Sequence, residues 1–256
     1  MKSIQNKIAE IKTNGYNLNF GDVLDHAFEN YKKIALYAGL MLLVFTVLFG
    51  FVLVAVAVSF FDMGTITEGL KQESLNSENL PTDFVLIYTL IIVLFTCVIS
   101  PFQAGFLKMA DCGEKGEEFH VSTIFEYYKA PYFIQIILST FVVALIGSGL
   151  SILLDNIGIK FVGSLIAVTL SFLTFLSIPL IVFGNFKAVD SLKSSILIVL
   201  KQPLALMGLL IVAGVASMVG FIGCFIGVFF TIPFIYSMNY AIYSAIIGFD
   251  SKSEIE

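Results

Sequence analysis

The chain has 256 residues, 58% hydrophobic and only 13% charged, with a formal net charge of −5. Its mean hydropathy is +0.95. Soluble domains sit near half apolar and a quarter charged, so this composition excludes an ordinary soluble core, and the acidic balance excludes a nucleic-acid partner, which demands clustered positive charge.

The first segment, with Ile4, Ile8 and Ile11 set against Lys2, Lys7 and Lys12, reads as a weak amphipathic helix. A stronger one follows over Phe20–Lys33. Phe20, Leu24, Ala27, Phe28 and Tyr31 share one face at helical spacing, with Asp22, Asp25, His26, Glu29 and Asn30 opposite. Asn19 with Asp22 three residues on is a start signal. The uncharged run Ile34–Phe61 is far longer than the roughly 7–15 residues of a signal-peptide core, so it is predicted to be a retained transmembrane helix. A polar, acidic loop over 62–83 (Glu68, Glu73, Glu78, Asp83) leads to a second span, Phe84–Leu107.

The next amphipathic segment presents Val121, Ile124, Phe125 and Tyr128 on one face and precedes spans predicted at Tyr132–Leu154 and Phe161–Phe183. A third, Lys187–Lys201, presents Val189, Leu192, Ile196, Val199 and Leu200. After it comes an uncharged stretch of 44 residues, Leu204 to Ile247. As one helix it would measure about 66 Å, roughly twice the hydrocarbon core. It must therefore turn, and Gly220, Gly223 and Gly227 mark the place, giving spans Leu204–Gly220 and Ile222–Ile247.

The predicted fold is thus all-α: a polytopic membrane protein whose six transmembrane helices form three repeated hairpins, each preceded by an interfacial amphipathic helix. The whole chain, 1–256, reads as a single membrane domain with repeats at 20–107, 119–183 and 187–247. Each repeat carries a lysine ahead of its first span (Lys32, Lys129, Lys201) and a proline in its second (Pro101, Pro179, Pro233). The lysines are expected to anchor the interfacial helices by reaching anionic headgroups. Each proline removes a backbone donor, orphaning the carbonyls of Cys97, Phe175 and Phe229; Ser100, Ser177 and Thr231 stand ready to compensate. Kinks are expected at all three.

Every one of the 14 basic residues is lysine, so no guanidinium fork is available for a specific anion site. Twelve of them fall in 1–33, 108–131, 184–203 and 248–256, against Lys71 and Lys160 on the other side. This split predicts both termini in the cytoplasm. Cys97 and Cys224 lie in apolar runs and Cys112 in a cytosolic loop, so no disulfide framework is expected.

The spans contain no charge, and their strongly polar groups are Gln103, Gln135 and Asn239 with several Ser and Thr. That pattern argues against proton coupling and reads first as helix–helix hydrogen bonding. His26 and His120 are the only histidines, too few for a metal site. No G-x-S-x-G, HExxH or P-loop pattern occurs. No catalytic, cofactor-binding or metal-binding residue is predicted, and the protein is not expected to be an enzyme.

The lead Phe20-Gly-Asp-Val-Leu-Asp-His-Ala-Phe-Glu-Asn-Tyr-Lys-Lys, the paired spans and the proline-broken second helices resemble a broad bacterial group of polytopic membrane proteins of unknown function. That group is related to the membrane domain found ahead of glycerophosphodiester phosphodiesterase catalytic domains. The chain is also similar to small membrane proteins, typical of Bacteroidetes, that are often labelled carotene monooxygenases. The resemblance covers 20–247 and implies a membrane fold without the phosphodiesterase domain. It implies no carotenoid oxygenase chemistry either, since those enzymes hold iron with four histidines.

Two functions remain in view. The first is a non-catalytic scaffold, assembly partner or lipid-organising component, with membrane lipids and a membrane protein or a second copy as partners. The second is a small passive transporter or channel-like protein with its cavity at the proline kinks. A filled apolar centre favours the first and a polar cavity at membrane depth the second.

Overall fold

A computed structural model describes residues 2–60, 82–159, 161–223 and 226–248, and among these every regular element is a helix. Most of the acidic outer loop, Lys71, Lys160, Cys224 and the 249–256 tail lie outside the described residues. The helices are α1 (Lys2–Asn14), α2 (Phe20–Phe60), α3 (Thr82–Lys115), α4 (Val121–Ile124), α5 (Tyr132–Asn156), α6 (Val162–Thr174), α7 (Ser177–Val182), α8 (Ala188–Lys201), α9 (Pro203–Met218), α10 (Ile226–Thr231) and α11 (Pro233–Ile247). Six stretches are long and apolar enough to cross a membrane: Phe20–Val52, Thr89–Lys115, Tyr132–Asn156, Val162–Val182, Pro203–Ile222 and Ile226–Ile247. All six predicted spans are present, and the chain has the build of a multi-pass membrane protein.

Packing is concentrated at one end of the bundle. α11 is the hub, touching α2, α3, α7, α9 and α1. The main core joins Ile11 of α1, Val23 and Ala27 of α2, Ile198 and Val199 of α8, Leu206 and Leu209 of α9 and Tyr243 and Ile246 of α11. At the opposite end the apolar side chains stay exposed: Phe51 on α2 is 70% accessible and Ile222, after α9, 85%. Exposed aliphatic surface of this extent fits lipid rather than water as the surrounding solvent.

The amphipathic segments depart from expectation, and each departure has the same cause. Phe20–Lys33 does not lie apart from its span; it is the first third of the single 41-residue helix α2. No proline or glycine interrupts 22–38, and its apolar face, through Val23 and Ala27, is taken up by the core. Val121–Ala130 is reduced to the single turn α4 and a 3-10 turn, Glu126–Tyr128. Ile124 is wholly buried against Ala38, Phe106 and Met109. The approach is close because α3 carries Gly105 there: a methyl group on it would lie 2.5 Å from the Ile124 Cα. α8 is a separate helix, ended by Gln202 before Pro203. Its buried face is Ala188, Ser191, Leu192, Ser195, Ile198 and Val199, while the predicted apolar positions Val189 and Leu200 are exposed.

The glycine turn lies where expected. Gly220 and Gly227 meet across it, with a methyl on Gly227 only 2.5 Å from the Gly220 carbonyl oxygen. The three prolines act differently. α3 runs unbroken through Pro101, and Ser100 Oγ donates to the Cys97 carbonyl at 2.8 Å, as the orphaned acceptor requires. Before Pro179 the helix is interrupted between α6 and α7. Ser195 reaches across from α8 to this break, though not to the Phe175 carbonyl. Its Oγ donates to the Leu173 carbonyl (2.9 Å) and accepts from the Leu176 N–H (3.2 Å). Before Pro233 the break separates α10 from α11. Thr231 Oγ1 donates to the Ser217 carbonyl at 2.6 Å, and Tyr31 OH donates to the Phe230 carbonyl at 3.0 Å.

Candidate functional site

A cavity of about 380 Å³ opens among α3, α5, the interrupted helix α6–α7 and α11. This is within the roughly 300–1,000 Å³ of small-molecule sites. Of the three prolines Pro179 lines it; Pro101 and Pro233 are not among its lining residues. Along α5 the lining runs from Ser139 to Ser148, a depth of about 13 Å at 1.5 Å per residue.

The wall mixes uncharged polar side chains with apolar ones such as Leu107, Val143, Phe175 and Ile178. α3 contributes Thr96 and Gln103; α5 contributes Ser139, Thr140 and Ser148. Ser171 and Thr174 come from α6, Ser177 from α7, and Tyr236 and Asn239 from α11. Several hydroxyls donate to their own helix: Thr96 to Ile92 (2.8 Å), Ser148 to Ala144 (2.7 Å) and Thr174 to Leu170 (2.7 Å). Their oxygens keep lone pairs toward the cavity. Two lining atoms have no partner at all among the described residues. They are Ser139 Oγ, on a side chain only 1% exposed, and the buried Asn239 Oδ1. A buried polar atom without a partner costs about 1–3 kcal/mol, so a guest that donates to Asn239 and accepts from Ser139 recovers that cost. No carboxylate or ammonium lines the space, so an ion entering it would lose hydration without a counter-charge.

A second cavity of about 460 Å³ lies on the other side of α3, against α2. It is apolar and aromatic, formed around Phe45, Phe49, Phe95, Phe102 and Phe125. Gln103 and Tyr236 line both cavities.

A separate polar cluster fastens α2, α3 and α11 at the C-terminal end of α3. Asn30, 0% exposed, donates from Nδ2 to the Ala110 carbonyl at 2.7 Å and accepts at Oδ1 from Ser237 Oγ at 2.9 Å. Asp111, 2% exposed, accepts from Lys108 (2.8 Å), Lys115 (3.3 Å) and Tyr240 OH (3.3 Å). His26 Nε2 lies 3.3 Å from Glu114 Oε1, and Lys33 Nζ 3.5 Å from Glu114 Oε2. Asn30 and His26 therefore face a neighbouring helix, not the solvated surface assigned to them from periodicity. Among the described residues no three His, Cys, Asp or Glu side chains gather into a metal site.

The three anchor lysines have three different settings. Lys32 is exposed, pairs with Glu29 at 2.6 Å and lies over the Phe28 ring at 5.3 Å. Lys129 is exposed. Lys201 donates from Nζ to the Lys12 carbonyl at 2.8 Å, closing the end of α1. Beside it Gln202 Nε2 donates to the Tyr16 carbonyl (2.6 Å) and Tyr16 OH to the Ile198 carbonyl (3.1 Å). Burial pushes the Tyr16 phenol up to about 12, which keeps it a donor. Gln135, one of the three polar groups flagged within the spans, is a fastener, accepting from the Ala188 N–H at 2.9 Å. The other two, Gln103 and Asn239, line the cavity.

Of the cavity's hydroxyls the sequence marks Ser177, as a neighbour of Pro179; the signal for the others is the spacing Thr96, Gln103 on α3 and Ser171, Thr174, Ser177 on α6–α7, polar residues recurring inside apolar runs. No protein-family model matches this sequence, and no curated protein or solved structure matches it.

Proposed function

We propose that the protein is a non-catalytic, multi-pass component of the bacterial inner membrane that admits a neutral, hydroxyl-bearing molecule to the kink cavity and lets it exchange passively. The observation that carries this reading is the uncharged polar cavity with the unpartnered Ser139 Oγ and Asn239 Oδ1 in its wall. The scaffold reading draws on the apolar residues of these segments that stay exposed, Phe20, Phe28, Val121 and Phe125, while Ala27 and Ile124 are spent on the protein's own core. The three hairpins are read as one repeated unit. The ends of α1, α3, α8 and α11, which meet at one end of the bundle, are placed in the cytoplasm on the lysine asymmetry.

The test is stopped-flow light scattering on proteoliposomes, with glycerol as the smallest probe of the class. Glycerol should equilibrate several-fold faster than in protein-free vesicles, with no added sodium or potassium leak. The double variant Ser139→Val, Asn239→Val should return the rate to the protein-free value. Glycerol permeability equal to that of empty vesicles, or a rate untouched by the double variant, removes the cavity from the function.

A further inference from the structure

The cavity described above does not end at its polar wall. Gln103 and Tyr236 line both it and the aromatic cleft on the far side of α3, so one polar and one apolar compartment adjoin at the same two side chains. The two are similar in size, about 380 and 460 Å³. Their linings differ: hydroxyls and amides stand among apolar side chains in one, and the rings of Phe45, Phe49, Phe95 and Phe102 dominate the other. A fully polar guest would leave the aromatic cleft unfilled, and a pure hydrocarbon would leave Ser139 and Asn239 without partners.

From this juxtaposition we infer that the molecule taken up is a single-chain amphiphile with an uncharged, hydroxyl-bearing head, of the monoacylglycerol class. The inference rests on the reading of the polar cavity given under the proposed function. The head occupies the cavity, donating to Asn239 Oδ1 and accepting from Ser139. The chain passes Gln103 and Tyr236 and lies among the phenylalanines between α2 and α3. Exclusion of charged heads follows from the wall, which offers no counter-ion. The preference for one chain follows from the cleft, whose space is comparable with that of the head compartment.

The chain contains no tryptophan, so one introduced indole is a sole reporter. Phe45→Trp places it in the cleft, and Phe51→Trp, on the 70% exposed outer face of α2, reports bulk lipid. Both are reconstituted in phosphatidylcholine nanodiscs and titrated with a monoacylglycerol brominated on its chain. Quenching of the cleft indole should saturate at a membrane mole fraction roughly tenfold below that needed for the outer-face indole. Adding Ser139→Val or Asn239→Val should weaken it roughly tenfold, as expected for one lost hydrogen bond. A brominated fatty acid, ionised at pH 8, should quench both indoles alike.

Saturable quenching that ignores Ser139 and Asn239, or that the fatty acid matches, makes the cleft a seat for any chain and overturns the inference. Glycerol flux without preferential quenching also overturns it, while leaving the polar cavity as the functional site. Loss of both glycerol flux and preferential quenching removes the cavity reading itself.

Discussion

Two polar clusters sit on the same helix, α3, separated by the eight residues from Gln103 to Asp111, and they are built in opposite ways. Around Asn30 and Asp111 the buried polar atoms meet partners supplied by α2, α3 and α11. Around Ser139 and Asn239, two atoms as deeply buried are left without any. In the first place polar side chains fix which helices pack together and in what register. In the second the same residue types line a cavity and two of their atoms stay without a partner. Polarity within an apolar helix therefore does not announce its role; the supply of a partner does.

The comparison breaks most readily at Asn30. Asn30→Ala strands the Ala110 carbonyl and the Ser237 hydroxyl, and should lower unfolding stability by about 2–4 kcal/mol. The readout is the temperature in detergent at which the buried Cys97 and Cys112 become thiol-reactive. A loss below about 0.5 kcal/mol would mean that the cluster does not fasten the bundle. A smaller effect is expected at the break between α6 and α7. Ser195→Ala removes the hydroxyl that serves both exposed backbone groups there and should cost about 1–2 kcal/mol in the same assay. No change would show that the interrupted turn satisfies itself. Smallest, and of opposite sign, is Asn239→Leu. It deletes an acceptor that had no partner, so stability should hold or rise by up to about 1 kcal/mol while glycerol flux falls. A loss as large as that of Asn30→Ala would make Asn239 a fastener and erase the distinction.

The spans were legible because lipid imposes a length and a composition that a single sequence displays directly. The glycine turn followed from the same arithmetic, and Ser100 from the local geometry of a proline. What could not be read was the identity of neighbours. Helical periodicity separates an apolar from a polar face, but it does not say whether the polar face of Phe20–Lys33 meets water or the end of α3, and Asn30 was misplaced for that reason. Likewise Ser195 lies 19 residues beyond the Leu176 N–H it serves, on another helix. The cavity was hidden for a further reason. It is a space left among helices that otherwise touch, α3, α5, α6–α7 and α11, and a space has no residue of its own.

The clasp between α1 and α8 has a consequence for the order of synthesis. The Lys201 ammonium that closes α1 lies 189 residues downstream of the Lys12 carbonyl it binds. At roughly 5–20 residues per second, the ribosome needs about 10–40 seconds to bridge that interval. Throughout it, α1 emerges and waits while four spans enter the bilayer, with Ile11 lacking the α8 and α11 surfaces that later cover it. α1, made well before its partners, is thus among the last helices to find its place. Its docking depends on the third hairpin, so this upstream segment records whether the downstream ones have been completed.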